Sequence, residues 1–298
     1  MKPESPGFNG VLPVYKEEGF TSNDVVAKLR GILHMKKIGH TGTLDPAATG
    51  VLPVCLGKAT KIISLLEDTD KTYECKCRLG VLTDTEDMTG NVVATGSTEG
   101  ITQDDIIKNL MSFKGRYMQI PPMYSAKKVN GKKLYELARE GIEIERKPCE
   151  VYIRQISADS FDPRNDVFTF TAECSKGTYI RSLCRDIGEK LGCRASMQSL
   201  KRTKACGISL QETLSLSQIE ELARSGEIKE KIISIDEMFP AYEKIKADRY
   251  SEKKVRNGNV IHLDVPDGKY RIYLEDGTFA AIYAVKSKRA LLCGYFLT

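Results

Sequence analysis

The chain has 298 residues, of which 41% are hydrophobic and 29% charged, and it carries a formal net charge of +5. That length holds one large domain or two unequal ones, and that balance excludes a disordered, collagen-like or membrane-spanning chain. Long apolar stretches such as Gly50 to Gly57 fall well short of the roughly 18 residues a bilayer span needs, and Met1 to Gly7 offers no signal-peptide core.

In chain order, Gly10 to Lys16 reads as a short buried strand. Thr21 or Ser22 then caps a helix whose apolar face is Val25, Val26, Leu29, Ile32 and Leu33. Residues 36–50, with glycines at 39, 42 and 50 around Asp45-Pro46, read as a loop rather than an element. Tyr73 to Leu79 has strand character, Thr102 caps a helix carrying Ile106, Ile107, Leu110 and Met111, and Leu134 to Arg139 reads as a short helix. Strands are expected at Val151 to Ala158 and Val167 to Cys174, after which Lys176-Gly177-Thr178 leads into an amphipathic helix with Gly192 as its C-cap. Ser215 or Ser217 opens another helix. Beyond Pro240 the chain is broken by Asn257-Gly258, Asp267-Gly268 and Asp276-Gly277, the spacing of a small all-β module, so a domain boundary is placed there, dividing 1–240 from 241–298.

The nine cysteines show no two-residue gap of the kind that marks a zinc knuckle or a thioredoxin-type motif, and they read as reduced cytosolic thiols. Cys75 and Cys77 are at strand spacing and share one face of a sheet; with three histidines in all, no metal site is expected. Charge is uneven. Residues 114–147 hold nine basic side chains against four acidic ones, so this segment carries the whole excess of +5. Tyr117, Tyr124 and Tyr135 are interleaved with those cations, a composition suited to a phosphate backbone beside stackable bases, although an ordinary solvated face has the same look.

Gly57-Lys58 is not a Walker A loop, because Leu52 and Ala59 stand where glycine and a hydroxyl residue are required. Asp84-Thr85-Glu86-Asp87-Met88 does not match a calcium loop. What remains is Asp45 in the glycine-rich run Gly39-His40-Thr41-Gly42-Thr43-Leu44-Asp45-Pro46-Ala47-Ala48-Thr49-Gly50-Val51-Leu52-Pro53. By itself, an Asp before Pro is a turn residue and His40 a loop histidine. The run nevertheless closely resembles the catalytic motif of the TruB family, the tRNA pseudouridine-55 synthases. The resemblance extends in order through Lys71-Thr72-Tyr73-Glu74, Leu79-Gly80 with Thr83-Asp84-Thr85, Gln119 to Lys128, Lys176 to Ser182, and Leu200-Lys201-Arg202-Thr203. One departure is Tyr15-Lys16-Glu17, where relatives usually have Asp-Lys-Pro.

The resemblance implies a mixed α/β (α+β) catalytic domain on a largely antiparallel central sheet, followed by a β-rich PUA-like RNA-binding module. It implies isomerisation of a uridine in the TΨC arm of tRNA, in the cytoplasm, with no obligate protein partner and no membrane. Pseudouridine formation breaks the bond from ribose to the base nitrogen and rejoins the base through carbon 5. The change is redox-neutral, so no cofactor is expected. It needs an ionised carboxylate against the ribose, as nucleophile or as base, and Asp45 is the candidate. By resemblance Arg181 is its charge partner, Tyr73 stacks on the extruded base, His40 holds the RNA conformation, and Tyr179 and Leu200 line the pocket. Spacing alone would put Tyr179 and Arg181 on one side of an extended segment. Tyr124, Lys127, Lys128 and Arg202 are expected to touch the RNA backbone.

Overall fold

The computed structural model describes residues 7–67, 69–125, 127–129, 131–142 and 144–297. The first half of the chain runs β1 (Gly10–Lys16), α1 (Ser22–Ile32), β2 (Ile38–His40), β3 (Thr49–Leu56), α2 (Ile63–Glu67), β4 (Lys71–Leu79), β5 (Val81–Thr83), β6 (Val92–Thr95), α3 (Gln103–Met111), β7 (Gly115–Gln119), β8 (Lys128–Val129), β9 (Lys132–Lys133) and α4 (Leu134–Arg139). Then follow β10 (Cys149–Asp162), β11 (Val167–Cys174), α5 (Ile180–Leu191), β12 (Ala195–Ala205), β13 (Ile208–Ser209), α6 (Leu216–Ser225), β14 (Glu243–Lys246), α7 (Arg249–Arg256), β15 (Ile261–His262), β16 (Gly268–Tyr273), β17 (Phe279–Lys286) and β18 (Arg289–Tyr295).

Among the described residues, nine strands form the central sheet in the order β1-β3-β12-β4-β11-β10-β7, with β2 beside β3 and β13 beside β12. Every pairing is antiparallel except β3 with β12, which meet in parallel over only two residue pairs, Thr49 with Lys201 and Gly50 with Arg202. The mixed α/β fold on a largely antiparallel sheet is therefore as expected. Strands β1 and β3 are buried on both faces, which is why they read as continuous apolar runs rather than alternating ones. Leu12, Leu52 and Val54 face α1 and α6, while Val11, Val51 and Cys55 face the opposite side, in a core that reaches Ile282 and Phe296 of the second sheet. On the other half of the central sheet, α3 and α5 lie over Cys75, Phe168 and Phe170. Cys75 and Cys77 do share a buried face, and Cys75 Sγ lies 3.6 Å from Cys184 Sγ on α5.

The caps fall where the sequence puts them. Thr21 and Thr102 each form a capping box with the Asp three residues on, Ser215 does so with Gln218, and Gly192 ends α5 at φ +78. The short helix at Leu134–Arg139 is present as well.

Three expectations need correction. Residues 36–50 are not all loop: Ile38–His40 forms β2, paired with Val54–Leu56, and β3 already begins at Thr49. Gly39 belongs in that strand because a Cβ there would stand 2.9 Å from Ile63 Cδ1, so its glycine marks close packing instead of a turn. The region after Pro240 is not all β, since α7 is a helix capped by Asp248 and ending at Asn257. Val255 is its buried side chain, so α7 shows no apolar periodicity to read. Third, Tyr179 is extended but the helix starts at Ile180, so Arg181 belongs to the first turn of α5. Beyond that boundary β14, β16, β17, β18 and β15 form a five-stranded sheet closed over Val255, with Asp276-Gly277 turning the β16–β17 hairpin.

Candidate active site

Asp45 is carried on the 41–48 loop between β2 and β3, and five separate tethers shape that loop. Ser22 at the start of α1 accepts from Leu44 N–H at 2.9 Å and donates to Leu44 O at 3.3 Å. Gly42 N–H donates to His40 Nδ1 at 3.3 Å, and Gly19 N–H donates to Pro46 O at 2.9 Å. Lys16 Nζ donates to Pro46 O at 3.1 Å, and to Phe20 O and Glu17 O at 2.6 and 3.0 Å. Burial pulls the Lys16 ammonium pKa down, while the nearby Asp45 carboxylate opposes that shift. The fifth tether is Arg202, whose Nη2 donates to Gly42 O at 3.2 Å and Nε to Val51 O at 2.7 Å.

Arg202 corrects the expectation that placed it on the RNA backbone. It is 1% exposed, and its guanidinium is used inside the protein, on the carbonyls of Gly42 and Val51. Gly50 is required for this packing: at φ +106, a Cβ there would meet Arg202 O at 2.2 Å.

Arg181 comes from the far side of the sheet seam. Its Nε lies 2.9 Å from Asp45 Oδ2, and its Nη2 donates to Asp45 Oδ1 at 3.3 Å. Nη1 donates to Thr85 O at 3.0 Å and Nη2 also to Tyr124 O at 2.9 Å, while Asp87 Oδ2 stands 3.9 Å from Nε. The Arg181 side chain is 7% exposed and that of Asp45 is 37% exposed, so a buried guanidinium presents a carboxylate whose outer face is open. A fork-shaped cation suits this task, since it holds two carboxylate oxygens and two carbonyls in one plane.

Tyr73 on β4 lies opposite Arg202 on β12 and is 9% exposed. Burial pushes its hydroxyl pKa up, with the Arg202 charge pulling the other way. Leu200, in the same β4–β12 ladder, is buried in one core with Tyr73, Leu44 and Ala48. Tyr179 is held by its backbone: its N–H donates to Gln119 Oε1 at 2.8 Å, and Gln119 Nε2 donates to its carbonyl at 3.0 Å. The structure thus gathers Asp45, Arg181, Tyr73 and Leu200 around the meeting point of β3, β4, β12 and α5, with Tyr179 at the N-cap of α5 and His40 at the foot of the Asp45 loop. Tyr124 joins them through its carbonyl. Lys127 lies apart, in contact with Cys149 Sγ, and the side chain of Lys128 lies outside the described residues.

Sequence reading missed the brace behind Arg181. Loop 84–90 carries Asp87, whose Oδ1 accepts from Thr85 Oγ1 at 2.8 Å and Thr89 N–H at 3.0 Å, and Glu86, which reaches α5. On α5, burial and the Glu86 and Glu189 carboxylates push the Asp186 pKa up to about 7, although Arg185 Nε lies 2.7 Å away. Among the described residues, no three His, Cys, Asp or Glu side chains cluster as metal ligands. A cleft of about 730 Å³ between α1 and α6 lies apart from the gathered side chains.

The site is a half-open carboxylate fixed by a buried cation, beside the aromatic ring of Tyr73 and the aliphatic side chain of Leu200. The fold is that of pseudouridine synthases of the Cbf5 type. A structure described as a Cbf5-Nop10-Gar1 complex superposes with a TM-score of 0.72 at 23% identity, over 97% of this chain and 84% of that one. The archaeal box H/ACA Nop10-Cbf5 complex also gives 0.72, at 21% identity and over 97% and 86% of the two chains. In sequence, residues 30–180 match the N-terminal domain of the TruB family pseudouridylate synthases, and residues 181–244 the C-terminal domain described for tRNA pseudouridylate synthase B. The tRNA pseudouridine synthase B of Lachnoclostridium phytofermentans is 48% identical over 95% of this chain and 97% of its own length. That of Clostridium perfringens strain 13 is 44% identical over 96% and 94%. The chain belongs to the TruB family of pseudouridylate synthases, isomerases that turn uridine into pseudouridine.

Proposed function

We propose that this chain isomerises a uridine of the TΨC stem-loop of tRNA, the one at position 55, as a stand-alone enzyme without an obligate protein partner. The target nucleotide is extruded from its stack and its base settles on Tyr73, with Leu200 and Tyr179 as walls and His40 supporting the displaced RNA. Stacking on an aromatic face returns about 1–3 kcal/mol, comparable to the few kcal/mol that extrusion costs. Asp45, held at two points by Arg181, acts on the ribose, either by attacking C1′ or by taking the proton from C2′. The bond from C1′ to N1 breaks, the base turns within the pocket, and C5 bonds to C1′ as the Asp45–C1′ bond breaks or the C2′ proton is returned. The C5 proton leaves to solvent and N1 takes up one proton, so the product is an isomer of the substrate and the reaction calls for no cofactor.

The observation that carries this reading is the two-point hold of Arg181 on Asp45 beside Tyr73 and Leu200. Residues 1–240 are read as the synthase domain and 241–298 as a PUA-like RNA-binding module. Lys127 and Lys128, in the basic segment, contribute to the phosphate contacts.

The test is release of tritium from tRNA labelled at C5 of its uridines, using purified protein and unmodified tRNA. About one equivalent per tRNA from the wild type and none from Asp45→Asn, which keeps its tRNA affinity, is expected. A folded, tRNA-binding wild type that releases nothing refutes the stand-alone reading. Mapping of the product to any nucleotide outside the TΨC loop refutes the assigned target.

A further inference from the structure

Glu86 sits in a place where its side chain is unexpected. It occupies a left-handed turn position at φ +63, which ordinarily favours Gly or Asn, and it is 6% exposed. A charged side chain is kept in such a conformation and such burial only where its surroundings over-determine it. Here they do. Oε2 accepts from Ser182 Oγ at 2.5 Å, and Oε1 pairs with Arg185 Nη1, both on α5. The backbone of Glu86 is held as well: its carbonyl accepts from Met197 N–H of β12 at 3.0 Å, and its own N–H donates to Thr83 O at 3.2 Å.

The neighbours in sequence explain what this does. Thr85 offers its carbonyl to Arg181 Nη1, and Asp87 offers its carboxylate to Arg181 Nε. Ser182 adjoins Arg181, and Arg185 lies one helical turn further along α5. Loop 84–90 therefore grips α5 twice: Thr85 and Asp87 hold the Arg181 side chain, and Glu86 between them holds the helix that carries it. We propose that Glu86, through Ser182 and Arg185, is a positioning residue that sets the angle at which Arg181 presents Asp45 to the ribose. This rests on the roles proposed for Asp45 and Arg181. The Glu86 side chain is buried against α5 and bonds Ser182 and Arg185 rather than Asp45, so it acts on the rate of the chemical step and leaves RNA binding unchanged.

The experiment compares wild type, Glu86→Gln and the double variant Glu86→Gln/Arg185→Gln for turnover and KM in tritium release, for tRNA affinity by filter binding, and for thermal unfolding. Glu86→Gln lowers kcat at least tenfold, with KM and tRNA affinity within twofold of wild type. Its unfolding temperature drops because Arg185 loses a buried partner. The double variant also takes away the Arg185 contacts to Asp186 and Ile120 O, so its unfolding temperature stays below wild type and kcat stays low. If Glu86→Gln keeps kcat within threefold of wild type, the proposal is overturned. It is equally overturned if turnover recovers together with stability in the double variant, since the network would then be structural only. Should the single variant not fold, the double variant alone decides: a low kcat in a folded protein supports the positioning role, and a kcat within threefold of wild type overturns it. A wild type without turnover overturns the parent reading, and that result is recognised without any variant.

Discussion

Replacing Arg181 by Lys isolates the geometry of the ion pair from its charge. The guanidinium now makes two contacts to Asp45 and donates to the carbonyls of Thr85 and Tyr124, all within 2.9–3.3 Å. An ammonium is one point, so it keeps the positive charge between Asp45 and Asp87 but loses the second Asp45 contact and at least one carbonyl. A hydrogen bond to a charged group contributes about 1.5–3 kcal/mol, so losing two costs about 3–6 kcal/mol of positioning. If that cost falls on the transition state, kcat drops by roughly 150-fold to 25,000-fold. Single-turnover tritium release at saturating enzyme reads this directly, and filter binding should give a tRNA affinity within threefold of wild type. A variant that keeps its single-turnover rate within threefold would refute the fork geometry as a catalytic requirement. So would one whose defect vanishes at saturating enzyme, because the contact would then belong to binding.

Other outcomes follow from the same contacts. Gly50→Ala drives a Cβ to 2.2 Å from Arg202 O at φ +106, so urea unfolding should show a loss of about 2–4 kcal/mol; a loss under about 1 kcal/mol would mean the seam can open at little cost. Asp186 has its carboxyl pKa raised to about 7 in the fold, above its value in the unfolded chain, so its contribution is fully present below about pH 4 and is lost as pH rises through 7. Relative to wild type, Asp186→Asn should therefore gain in unfolding temperature as pH goes from 5 to 8, and an unchanged difference across that range would contradict the raised value. Lys127→Ala should reduce the slope of log affinity for tRNA against log salt by about 0.7–0.9 with kcat unchanged, whereas an unaltered slope would remove Lys127 from the phosphate contacts.

The Asp45–Arg181 pair was legible only through the resemblance: alone, Asp45 before Pro46 reads as a turn residue and Arg181 as a surface residue at a helix start, and the runs Gly39 to Pro53 and Lys176 to Ser182 gave both a role by their likeness to family motifs. What escaped depended on partners far along the chain. Nothing near Glu86 shows that Ser182 and Arg185 will close on it from 96 and 99 residues away. Lys16 is similar: its role depends on Pro46, 30 residues on. Arg202 was misplaced although a signal existed, because in a strand it shares a face with Leu200, and a residue assigned to the pocket floor implies an inward neighbour two positions later. Its basic character drew the reading outward. Helix α7 was hidden for the opposite reason, since a short helix lying on the rim of a small sheet needs hardly any apolar face.

Strand β12 lies between β3 and β4, which precede it in the chain by more than a hundred residues. A ribosome therefore delivers β1, β3 and β4 long before the strand that joins them, and both sheet margins wait unpaired until about residue 205 has emerged. Nascent chains of this protein should be most prone to aggregate in that interval, and Asp45 meets Arg181 only once β12 has joined the two halves of the sheet.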